Sequence, residues 1–276
     1  MLKELAELLR FRELLLRLVV RDIKVRYKNS FLGFLWSLLN PLLQVAAITF
    51  AFRKILSIDI PNYSAYLLCA FLPWTFFQMS VLDASMSIIM QSPLVKKSYF
   101  PREILPISIV LSNLVHFLLA LVVFFIYLLI RGTGIQVTWL LFPVLVIIQL
   151  FFNTGIALFV SAMNVFYEDV KYMVTVLLNL LMFLMPVMYM VENSSITKGI
   201  SEPYRSWIVQ FYNINPLSFL LTAFRKILLP PFHSKTITDI PLNYWYVVLS
   251  AVISFLIFVA GYAFFNKRKW YFAERL

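Results

Sequence analysis

Two ionisable side chains, Asp83 and His116, stand well inside otherwise apolar stretches of this 276-residue sequence. A carboxylate and an imidazole can exchange a proton, but acid–base catalysis needs them to converge with each other or with a metal on one substrate atom. No H-E-x-x-H pair, no paired carboxylates within an apolar stretch and no G-x-x-x-x-G-K-[ST] phosphate loop are present. The single cysteine, Cys69, excludes an internal disulfide and a cysteine-based metal site. Catalysis by this chain alone is therefore not expected. A carboxylate in hydrocarbon is costly unless it faces protein or water. Asp83 is thus read as an interhelical hydrogen-bonding group whose charge is dispensable, with a place on a translocation route as the alternative. His116 is read as a packing residue, with a proton relay as the alternative.

Uncharged polar side chains form stripes. Ser37, Asn40 and Gln44 share a helical face with Trp36 beside them, and Thr175, Asn179 and Pro186 follow the same spacing, with Phe183 and Tyr189 nearby. Gln149, Asn153, Ser161 and Asn164 make a third set. Such stripes either glue helices or protomers together or line a conduit. Amides and aromatic rings would hold sugar hydroxyls weakly, by hydrogen bonding and stacking, which suits sliding better than capture.

The elements that position these residues follow from composition. With 62% hydrophobic residues, 13% charged residues and a mean hydropathy of +0.85, the chain is an all-α polytopic membrane protein. Six stretches of about 20 apolar residues fit at 33–56, 65–90, 104–130, 139–163, 173–191 and 242–265. Pro41, Pro73, Pro106, Pro143 and Pro186 fall in the first five, each favouring a bend. With both ends in the cytoplasm, the inner segments 1–32, 91–103, 164–172 and 266–276 carry 8, 3, 1 and 4 Lys+Arg, sixteen of the 24, as the positive-inside rule requires. The net charge of +11 then faces anionic lipid headgroups and partners, and nucleic acid is not indicated.

Before the first span, Leu9, Leu16, Val20, Ile23 and Tyr27 recur at helical spacing beside a cationic stripe of Arg17, Arg21, Lys24 and Lys28. That pattern predicts a helix lying in the membrane interface, with Gly33 at the corner where the chain turns into the span. The opening MLKELAELLRF lacks the apolar core and cleavage site of a signal peptide, so the N-terminus is expected to be retained. The outer segment 192–240 is too long and too aromatic for a simple loop. Within it Asn215 caps a helix that starts at Pro216 and stops at Pro230-Pro231. The apolar face of that helix, Leu217, Leu220, Leu221, Phe224 and Leu228, either dips into the outer leaflet or packs on the spans. The inner loops SPLVKKSYFPREILP (92–106) and NVFYEDVKY (164–172) join the N-terminus as three handles for a soluble partner.

Five segments in order, RDIKVRYKNSFLGFLWSLLNPL (21–42), KKSYFPREILP (96–106), NVFYEDVK (164–171), NPLSF (215–219) and WYFAERL (270–276), resemble one known family. It is the ABC-2 type permease subunits that export lipid-linked cell-surface polymers, namely wall teichoic acid and O-antigen or capsular polysaccharide. The resemblance covers nearly the whole chain and implies one transmembrane domain over 1–276. That domain comprises the interfacial helix (1–32), spans one to five (33–191), outer re-entrant helices between spans five and six (192–240), and span six with a cytoplasmic tail (241–276). It implies a homodimer in the cytoplasmic membrane of a bacterium, paired with two copies of an ABC ATPase that binds ATP and Mg, this chain holding no cofactor itself.

Carried onto this sequence, the resemblance assigns ATPase coupling to Lys96, Lys97, Tyr99, Arg102 and Glu103, with a coupling helix in the 91–103 region, and to Glu168 and Asp169. It assigns the conduit to spans one and five, through Trp36, Ser37, Asn40, Gln44, Thr175, Asn179, Phe183 and Tyr189. Arg21, Lys24, Arg26 and Lys28 would attract the polyprenyl diphosphate of the polymer carrier, or anchor the helix to lipid. The rival readings are a secondary transporter, which would need intramembrane coupling groups beyond Asp83 and His116, and a membrane enzyme acting on polyprenyl-linked sugars, which lacks a catalytic constellation.

Overall fold

The computed structural model describes residues 7–8, 10–28, 35–51, 62–132, 134, 136–189, 201, 204–231 and 242–276, and every regular element among them is helical. Helix α1 (Arg12–Tyr27) precedes α2 (Leu35–Phe50) and the long α3 (Tyr63–Met90). A short α4 (Ser92–Lys97) leads to α5 (Ile104–Ile130), and a 3-10 turn (Val137–Leu141) opens α6 (Phe142–Phe166). Then come α7 (Val170–Leu184), α8 (Tyr204–Ile214), α9 (Pro216–Leu228), α10 (Tyr244–Arg268) and, after a 3-10 turn, α11 (Phe272–Arg275).

Four of these stretches are long and apolar enough to cross a membrane: Tyr63–Met90, Ile104–Ile130, Val137–Phe166 and Tyr244–Arg275. They coincide with expected spans two, three, four and six. Helices α2 and α7 fall where spans one and five were expected but are shorter, at 16 and 15 residues. Residues 52–56 and 190–191, the outer ends expected of those two spans, lie outside the described residues, as do Gly33 and much of 192–240.

The prolines act differently from one another. Pro106 and Pro143 sit in the first turns of α5 and α6, where the missing N–H has no helical partner to lose, so neither causes the expected bend. Pro41 and Pro73 are inside α2 and α3. Pro186 ends α7, because the residue before a proline avoids helical geometry and Met185 is accordingly extended at ψ 151°.

Helix α3 is the axis, buried along most of its length and packed against α2, α5, α6, α7 and α9. The most extensive pairing joins α6 to α10, and two glycines make it possible. A Cβ on Gly261 would lie 2.1 Å from the Gly155 carbonyl oxygen, and one on Gly155 would lie 2.7 Å from the Ile257 carbonyl. Only bare backbones fit at that crossing.

Helix α1 lies across α5, with Leu18 and Val19 buried, whereas Leu16 and Val20 of the expected apolar stripe are exposed. The face seated on protein is therefore one position round from the stripe read in the sequence. Helix α9 is the most enclosed of the short helices. Asn215 caps it by accepting from the Leu217 and Ser218 amides, and its residues pack on α3, α6 and α10.

Candidate functional site

The end of the bundle that carries α1, α4 and α11 has its own core, where Leu18, Ile88, Val95, Phe100, Ile104 and Phe272 meet. This cluster gathers the KKSYFPREILP, NVF and WYFAERL segments, distant in sequence, onto one platform. Val95 and Phe100 anchor α4 and the strand of chain after it, leaving Lys96, Lys97 and Tyr99 outward, with Tyr99 83% exposed. Glu103 faces the other way. It is fully buried, accepts from the Tyr262 hydroxyl at 3.3 Å and pairs with the Lys269 ammonium at 3.5 Å. Arg102 donates to the Lys269 carbonyl oxygen, and burial pulls its guanidinium below the usual value. As placed, Arg102 and Glu103 bind the loop to the C-terminal segment, and Glu103 presents no charge to a partner.

The second loop is held by Asn164, whose amide donates to the Ser85 carbonyl at 2.9 Å and whose oxygen caps the Lys171 amide at 3.0 Å. Beyond it Tyr167, Glu168 and Asp169 are exposed. Asn164 therefore turns the chain so that the acidic pair stands clear. Gln149, from the same polar set, donates to the Pro73 carbonyl at 2.7 Å, so it and Asn164 bridge α6 to α3, while Asn153 and Ser161 are buried and Ser161 bonds within its own helix.

The other two stripes remain uncovered. Among the described side chains of α2 only Val45 is buried, and on α7 only Leu178 is. Asn40 and Gln44 are exposed and joined by a 2.9 Å hydrogen bond. Thr175, Asn179 and Phe183 are exposed on α7, where the Thr175 hydroxyl bonds back to the Lys171 carbonyl at 2.7 Å. Tyr189 stands apart from that stripe, bonded to the Leu184 carbonyl and the Tyr212 hydroxyl. The side chains of Trp36 and Ser37 lie outside the described residues.

Of the four cationic residues assigned to diphosphate attraction, two have protein partners. Arg21 bonds Asp22 at 2.7 Å and Gln91 at 3.0 Å. Arg26, though exposed, reaches Asp83 at 2.6 Å and Asn113 at 3.0 Å. Lys24 and Lys28 stay exposed beside Arg17 along a shallow groove on α1. Arg26 and Tyr27 also wall a cavity of about 220 Å³ with Asn40, Gln44, Thr75 and Asn113.

Sequence reasoning missed the Arg26–Asp83 pair and Arg225 on α9. Arg225 is 5% exposed, stacks over the Tyr66 ring at 3.9 Å and donates to the backbone carbonyls of Tyr66, Tyr189 and Val187. Its signal was available: four residues after Leu221 and eight after Leu217, Arg225 interrupts the apolar face of α9.

Several long apolar helices, a charged platform at one end and two uncovered polar-striped helices define a multi-pass membrane protein whose chemistry is contact and packing. Residues 13–229 match the family described as ABC-2 type transporter, and the chain belongs to that family. It is 32% identical over 265 residues to an O-antigen export system permease protein RfbA of Klebsiella pneumoniae, covering 96% of this chain and 95% of the relative. It is 33% identical over 279 residues to a protein of the same name from Myxococcus xanthus, covering both chains completely.

Proposed function

We propose that this chain is the membrane-spanning permease subunit of an ATP-driven exporter that carries a polyprenyl-diphosphate-linked cell-surface polysaccharide outward across a bacterial cytoplasmic membrane. The end-to-end similarity to permeases named for O-antigen export carries this reading and favours an O-antigen-type polysaccharide over wall teichoic acid. The subunit crosses six times, α2 and α7 being the inner parts of spans one and five, with both termini in the cytoplasm. Helix α9 re-enters from the outer face, a reading its enclosure among α3, α6 and α10 supports.

Two copies face each other across α2 and α7, and a separate ATPase, loaded with ATP and Mg, docks at the platform through Lys96, Lys97, Tyr99, Glu168 and Asp169. ATP closes the ATPase dimer, the platform moves with it, and the permease halves change separation, a population shift between two packings. The polymer slides past Asn40, Gln44, Thr175, Asn179 and Phe183, while exposed Lys24 and Lys28 attract the diphosphate at the inner mouth. Affinity purification of the tagged chain from its own host tests the assembly. An ATPase subunit is expected to co-purify and its ATP hydrolysis to rise on reconstitution with the permease. A chain that purifies without an ATPase and still transports would overturn the proposal.

A further inference from the structure

In the last turn of α1, Lys24 stays exposed at the surface, whereas Arg26, also exposed, reaches across to two other helices. It donates to Asp83 Oδ2 at 2.6 Å and Asn113 Oδ1 at 3.0 Å, while Asn113 donates to the same Asp83 oxygen at 3.1 Å. One residue on, the Tyr27 hydroxyl meets His116 Nδ1 at 2.6 Å, with the rings edge to face. Asp83 belongs to α3, and Asn113 and His116 belong to α5, so two helices grip the end of a third. The apolar hold on α1 lies earlier in the helix, where Leu18 and Val19 are buried and Leu14 and Leu15 pack beside them. Arg26 and Tyr27 are also the residues of α1 that wall the cavity shared with Asn40 and Gln44 of α2.

We infer that Asp83 is a positioning residue: with Arg26 it forms a latch that fixes the inner end of the interfacial helix on the seam between α3 and α5, and so sets how far the cavity beside α2 is covered. The charge of Asp83 is therefore needed, not only its shape. A carboxamide there would leave the exposed Arg26 guanidinium held by Asn113 Oδ1 but without its counter-charge, and the end of α1 would be freer to leave the seam. Removing both charges together abolishes that conflict, which ordinary packing at position 83 would not do.

The full-length protein in lipid nanodiscs tests this through two readouts that need no transported substrate. One is the rate at which a thiol reagent labels Asn40→Cys in a Cys69→Ala background. The other is the rate of tryptic cleavage after Lys24 and Lys28 in the chain without cysteine changes. Asp83→Asn and Arg26→Gln should each raise both rates at least fivefold, Asp83→Glu and Arg26→Lys should stay within twofold of wild type, and the Arg26→Gln/Asp83→Asn double variant should exceed neither single. Wild-type rates in Asp83→Asn, or single effects that multiply in the double, would overturn the latch. The cleavage readout decides the matter if the reporter cysteine prevents assembly.

Discussion

Where α7 ends, the carbonyls of Val187 and Tyr189 have no helical donors, and the Arg225 fork supplies them together with Tyr66. Leaving a buried acceptor unpaired costs about 1–3 kcal/mol each. Arg225→Ala should therefore lower the thermal midpoint of the detergent-purified protein by several degrees, and Arg225→Lys should recover little, because an ammonium cannot reproduce the planar three-way fork. An unchanged midpoint in Arg225→Ala would show that water replaces the guanidinium there. Glu103 is a comparable case at the other end of the bundle. Its charge looked like a docking handle when read in KKSYFPREILP, because spacing along a loop does not reveal which side chains turn inward. Burial against Tyr262 and Lys269 instead predicts that Glu103→Lys lowers the thermal midpoint. Lys96→Glu/Lys97→Glu, at exposed positions, should change stability by no more than about 0.5 kcal/mol, leaving the midpoint near that of wild type, while reducing recovery of the proposed ATPase partner. Equal midpoints for Glu103→Lys and the double lysine variant would reject this division of roles.

Helices α3, α5, α6 and α10 were legible in the sequence to within a few residues, because hydropathy over about 20 residues is the strongest structural signal a membrane chain carries. The cap and stops of α9 were legible too, since Asn215, Pro216 and Pro230-Pro231 act locally. What the sequence did not reveal was contact between elements. The seated face of α1 differs from its apolar stripe because a helix with lipid on one side and protein on the other has two apolar neighbours, and periodicity does not separate them. Likewise Gly155 and Gly261 are 106 positions apart, and neither is informative until α6 and α10 cross. That crossing predicts that Gly261→Ala forces the two backbones apart at a cost of about 1–3 kcal/mol, read as a lower thermal midpoint. Gly134→Ala, where an added Cβ meets nothing within 4 Å, is the matched control. A Gly261→Ala protein as stable as that control would mean the helices do not cross this closely.

In the proposed assembly two copies meet across the uncovered faces of α2 and α7, and the structure sorts the polar residues that the sequence places in stripes. Gln149, Asn153 and Ser161 are enclosed by neighbouring helices, whereas Asn40, Gln44, Thr175, Asn179 and Phe183 are left open. In the proposed dimer these open residues line the path. Cysteines at Asn40 and Asn179 in a Cys69-free background should then crosslink between protomers faster than pairs at exposed Val122 and Val252, which lie off those faces. Asn179→Trp should fill the path and stop export while dimer and ATPase assembly stay intact, and small uncharged replacements should be tolerated. The most direct measurement is the polysaccharide itself, quantified at the cell surface and in the cytoplasmic lipid-linked pool of a strain deleted for this chain. The polymer should be lost from the surface and accumulate on its carrier inside, and both changes should be reversed by the wild-type chain but not by Asn179→Trp. Undiminished surface polymer in the deletion strain would contradict the account.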